Sequence, residues 1–123
     1  MTALPLALVI LGGVMTLIVV YLAILFWISP EKGLEFATHR KENLTEVMVN
    51  RYFVIFMMMG GALYYGPPEV VAFVFLVTGI GPAHDAWIYY RAGKPYKAHL
   101  VPAVLSFIVA GWAFYLYSMT GEA

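Results

Sequence analysis

Between Leu4 and Ile28 the chain reads LPLALVILGGVMTLIVVYLAILFWI, a run without a single charge. Wound as a helix at about 1.5 Å per residue, it crosses a hydrocarbon core about 30 Å thick with length left for tilt. No Lys or Arg precedes Lys32. A signal peptide needs a basic start and an apolar stretch of only roughly 7–15 residues, so this run is expected to be a retained membrane helix. The rest of the chain agrees in kind. Of 123 residues, 63% are hydrophobic and 11% charged, where soluble domains carry about 25% charge. So few charges cannot cover a water-facing surface, which excludes a soluble domain, a disordered chain and a nucleic-acid binder. The absence of cysteine excludes disulfides, thiol nucleophiles and cysteine-held metals.

Working outward, three further apolar runs follow, at about 47–65, 70–90 and 98–118. They are continuous rather than alternating, so helices are expected and barrel strands are not. The turns at 66–69 and 91–97 are short, which makes the second, third and fourth runs antiparallel neighbours. The fold expected is all-α: one domain over 1–123, four transmembrane helices in an antiparallel bundle. The stretch 29–46 is the one long polar connection. Its Leu34, Phe36, Leu44 and Val47 are spaced for an amphipathic helix at the membrane surface. Its Asn43-Leu44-Thr45 sequon is expected to stay unglycosylated, because it falls on the cytoplasmic side.

Charge sets that side. Lys32, Arg40, Lys41 and Arg51 belong to the first connection or the helix start after it, and Arg91, Lys94 and Lys97 to the third. The other connection and both ends have none. The positive-inside rule places 29–46 and 91–97 in the cytoplasm and both termini outside. Trp87, Tyr89, Tyr90, Tyr64, Tyr65, Tyr115 and Tyr117 frame the runs where interfacial aromatics belong.

Polar residues inside the runs are few. Arg51 and Asp85 lie at matching depths from the cytoplasmic side, and a lone charge at such depth is costly. An Arg51–Asp85 ion pair is therefore expected. Asn50, His84, Tyr89 and His99 share that level, with Asp85 and Tyr89 on one face at i,i+4. Four readings of the cluster compete, one of them proton or ion conduction, for which the runs carry few polar residues toward the outer leaflet. It pins two helices together. It grips the head of a lipid-, quinone- or isoprenoid-like ligand. Or His84, Asp85 and His99 perform acid–base chemistry. His39, His84 and His99 are too far apart in sequence for a metal motif, and neither a metal nor a cofactor is expected. Met57, Met58 and Met59 point around their helix and read as adaptable packing.

The stretch Val49-Asn50-Arg51-Tyr52-Phe53-Val54-Ile55-Phe56 resembles the start of the second helix in the DUF4267 family of small four-helix membrane proteins. Gly79-Ile80-Gly81-Pro82-Ala83-His84-Asp85-Ala86-Trp87, then Gly93-Lys94 and Ala98-His99, are similar to that family's later pattern. The resemblance covers about 45–117. It implies a four-helix bundle akin to the DoxX-like group and a shared importance for Arg51, Asp85 and His99. It implies no reaction. The long charged stretch 29–46 departs from the shorter connection of that group.

The function expected is non-catalytic: an accessory subunit of a larger assembly or a binder of a hydrophobic small molecule. Its partners would be membrane lipids and a protein docking on the first run or on 29–46. The alternative is a membrane enzyme acting on a lipid-like substrate through His84, Asp85 and His99. A cavity reaching His84 or Asp85 would favour the enzyme. A flat face of small residues, as around Gly12 and Gly13, would favour the accessory subunit.

Overall fold

Every element of the computed structural model is helical, and the described residues are 5–120. In chain order they are α1 (Leu6–Ile28), α2 (Pro30–Phe36), a 3-10 turn (Lys41–Asn43), α3 (Leu44–Tyr65), α4 (Pro68–Arg91) and α5 (Lys97–Thr120). Four of them, α1, α3, α4 and α5, are long and apolar enough to cross a membrane. Leu4, the first residue of the expected first span, lies outside the described residues. The α3, α4 and α5 helices overrun their apolar runs, whereas α1 stays within its own. Hydropathy marks where hydrocarbon would end, whereas a helix stops only when its backbone is capped. Thus α3 begins at Leu44 rather than Val47, carrying Thr45 and Glu46 in its first turn, where an acid suits the helix dipole. Pro68 opens α4 at the first position, where a missing N–H costs nothing.

The chain divides into two compact units, Met1–Val49 and Asn50–Ala123. In the first, α2 packs on α1. Ser29 caps α2, accepting a hydrogen bond from the Lys32 N–H at 3.5 Å, with Pro30 directly after it. The ring of Phe26 lies so close over Gly33 that an added Cβ would sit 2.6 Å from its Cγ. Tyr21 and Phe36 meet edge to face at 5.3 Å. The connection 29–46 is not one amphipathic helix. The α2 helix stops at Phe36, with Thr38 in the left-handed region (φ 57°). The Thr38 N–H donates to the Glu35 carbonyl at 3.1 Å and the His39 N–H to the Leu34 carbonyl at 2.8 Å. This double closure ends a helix, so Leu44 and Val47 fall on α3 instead.

Thr38 is β-branched, and its left-handed backbone costs about 1–2 kcal/mol that glycine would not incur. Thr38→Gly is expected to stabilise the end of α2 by about 1 kcal/mol. The readout is slower amide exchange at His39; unchanged or faster exchange would refute it. The same closure ends α4. There Gly93 (φ 66°) takes the left-handed position, and the Lys94 N–H reaches the Tyr89 carbonyl at 2.9 Å.

In the second unit α4 and α5 pack against each other. Their contacts start beside the connection with Tyr89 on His99. They continue where Gly79 faces Ser106 and Phe107, and they reach a shared groove at residues 69–76 and 107–117. The buried residues of α4 are Ala72, Phe75, Gly79 and Ala86; those of α5 are Ala103, Ser106, Ala110 and Ala113. Both sets step by three, four or seven, the spacing of a heptad seam. Small side chains on that seam let the backbones approach closely. Ala103, at 2% exposure, is the most enclosed. Pro82 falls on the same seam and removes the hydrogen bond to the Thr78 carbonyl. One turn earlier the Thr78 hydroxyl donates to the Val74 carbonyl at 2.8 Å. Apart from Phe75, most large apolar side chains are exposed, among them Leu105, Trp112 and Phe114, and Leu11 and Leu17 of α1.

Candidate functional site

Of the residues singled out from sequence, His84, Asp85, Tyr89 and His99 lie toward the α4–α5 connection, and Asn50 and Arg51 lie on α3. Asn50 and Arg51 are exposed in the second turn of α3. Asp85 is half-buried on α4, between exposed His84 and buried Ala86. His99 is half-buried in the first turn of α5. The structure brings together Tyr89 and His99, whose rings stack at 4.8 Å and 10°. It does so because the closure at Gly93 returns the chain within five residues, setting the last turns of α4 beside the first turn of α5. Next to this stack Tyr90 meets Tyr96 edge to face at 5.3 Å, and Trp87 lies 6.0 Å from both Tyr90 and the Arg91 guanidinium. An aromatic layer thus surrounds the α4–α5 connection.

The polar cluster is not a hydrogen-bonded network. The side-chain hydrogen bonds of the described residues are local, made to backbone three or four positions away or, at Ser29, from it. None of them joins Arg51 to Asp85. The pair stands as a proposal with a direct test. If the two charges interact in the membrane, Arg51→Leu and Asp85→Leu each destabilise. The double variant is then less unstable than the sum of the two by about 1 kcal/mol. Additive effects in a double-mutant cycle of denaturant midpoints would dismiss the pair.

The concave feature lies elsewhere. An open groove of about 510 Å³ runs between α4 and α5, lined by Glu69, Ala72, Phe73, Leu76, Phe107, Ala110, Gly111, Phe114 and Tyr117. That size falls within the roughly 300–1,000 Å³ of small-molecule sites. Its floor is formed by the seam residues Ala72 and Ala110, too short to fill the space between Phe73, Phe107 and Phe114. An added Cβ at Gly111 would meet nothing within 4 Å, which leaves the wall open there. Glu69 lies in the first turn of α4 and Tyr117 in the last turns of α5. The groove is therefore at the end remote from the α4–α5 connection. None of His84, Asp85 and His99 lines it.

The groove lies away from the polar residues that stand out in the sequence. Glu69 read as part of a turn, and Tyr117 as an interfacial anchor. A signal was present: Glu69 opens an apolar helix after a connection without Lys or Arg, and the following helix carries small residues at heptad spacing. No protein-family model, no curated protein and no solved structure matches the chain.

Proposed function

We propose that the chain is an integral membrane protein crossing the bilayer four times as an antiparallel bundle, and that it binds a hydrophobic small molecule in the α4–α5 groove without chemistry of its own. The observation that carries the binding reading is the groove: concave, apolar and floored by residues too small to fill it. The membrane reading is supported by the inverted distribution of side chains. Apart from Phe75, the buried residues are Ala, Gly and Ser, while most Leu and Phe and the Trp residues are exposed. In water, apolar faces of this extent would associate; in hydrocarbon they are at no disadvantage, and helices keep their backbone groups satisfied.

Native mass spectrometry on the gently extracted protein tests the function. A retained small molecule at one per chain is expected. A stoichiometric protein partner without it would instead support the accessory-subunit reading, through α1 or 29–46. Neither being retained would count against both.

Orientation follows from charge. We place 29–46 and 91–97 in the cytoplasm and both termini outside, because all seven Lys and Arg residues lie at the former end. A C-terminal alkaline phosphatase fusion is then active, and a fluorescent-protein fusion at the same site is dark. The reverse pattern would invert the topology.

A further inference from the structure

The groove's selectivity has to come from its polar end. Inside a bilayer a hydrocarbon chain gains nothing from leaving one apolar environment for another, since lipid tails are as apolar as leucine. A ligand is told apart from bulk lipid only by groups that meet its head. Two side chains in the lining can do so, Glu69 and Tyr117.

Glu69 is a carboxylate without a basic neighbour on the helices around it. Along α4, Arg91 is twenty-two positions away, about 33 Å at 1.5 Å per residue. On α5, Lys97 lies twenty positions before Tyr117, about 30 Å along that helix. On α3, Arg51 lies fourteen positions before the end at Tyr65, about 21 Å. The α4–α5 pair carries its cations beside its connection and this acid at the other end. The groove's lining also includes Tyr117, whose hydroxyl can accept a hydrogen bond, and Phe73 and Phe114, rings of a kind that attracts cations through π-electrons. A carboxylate or phosphate head would meet the like charge of Glu69 and no donor but one phenol.

We propose, resting on the ligand-binding reading above, that the groove takes an amphiphile with a cationic amine head. The chain would lie between Leu76, Phe107 and Gly111, and the ammonium would meet Glu69 and the ring and hydroxyl of Tyr117. The span from Glu69 to Leu76 is about two helical turns, which suits a single medium-length alkyl chain.

Decylamine, decanol and decanoate separate the possibilities. Each is added to the full-length protein in a sugar-headed, uncharged detergent at neutral pH, and occupancy is read by native mass spectrometry. Decylamine is expected to bind about tenfold better than decanol, the usual gain of a charge-assisted hydrogen bond at a partly exposed site. Decanoate is expected to bind below both. Glu69→Gln should lower decylamine to about the level of decanol, while Glu69→Asp keeps part of the preference. Equal binding of amine and alcohol, a preference for decanoate, or an amine preference indifferent to Glu69→Gln would overturn the head-group assignment alone. Binding of none of the three, or binding unaffected by filling the groove at Gly111, would overturn the groove reading and the assignment with it.

Discussion

Gly79→Leu is expected to part α4 from α5 and to cost about 2–3 kcal/mol, at the upper end of overpacking effects. The reason is local. A Cβ on residue 79 would lie 2.8 Å from Cε1 of Phe107 and 3.1 Å from Cβ of Ser106. The ring can rotate away from a single methyl, so Gly79→Ala should cost less, about 1 kcal/mol. It cannot make room for a leucine, because Ser106 belongs to the seam itself and the helices must separate. Separation forfeits the close approach on which helix pairing in a membrane rests, there being no hydrophobic gain from lipid to replace it. The measurement is the denaturant midpoint of the full chain in mild detergent. Phe107→Ala combined with Gly79→Leu should recover part of the loss, because it removes the obstructing ring. A midpoint for Gly79→Leu within about 0.5 kcal/mol of the parent would show that this contact does not hold the pair.

Gly111→Phe should do the reverse: keep the fold and remove the binding. Residue 111 lines the groove, and an added Cβ there meets nothing within 4 Å. The new side chain enters open space between Phe73 and Phe114 with no clash to relieve. Replacing a glycine inside a helix also relieves a backbone cost of roughly 0.5 kcal/mol. Stability is thus expected to hold or rise slightly while ligand occupancy falls more than tenfold, the ring taking the volume that an alkyl chain needs. Native mass spectrometry reads the occupancy and the denaturant midpoint reads the stability. Undiminished occupancy would move the ligand out of the groove. Two glycines on facing helices therefore have opposite expected outcomes, for a reason that neither residue's sequence neighbourhood contains.

That contrast marks how far the residues alone could be read. The four long helices were legible from uninterrupted apolar runs, since backbone groups away from water can be satisfied only within a helix. Their ends were less so. Leu44 and Thr120 lie beyond the apolar runs, and capping rather than hydropathy decides where a helix stops. The stretch 29–46 misled most. Its apolar spacing suited one surface helix, but the left-handed backbone at Thr38 ends α2 after seven residues. Nothing in a threonine announces that conformation; the two hydrogen bonds that close the turn impose it.

The candidate site divides in the same way. His99 and Tyr89 were both named as members of one polar level, and the structure stacks them, because a short turn returns the chain at the same height. The groove was not legible. Composition, run length and the lopsided placement of Lys and Arg are properties of the chain itself, and they determine its helical class, its apolar character and the orientation proposed for it. Which small residues are buried, which glycine is sealed and which is open, and where the space between the helices lies follow from the rotation of α4 against α5. Only the tertiary structure decides that rotation. Close packing of Gly79 on Phe107 selects it, and the groove beside Gly111 is what that choice leaves unfilled.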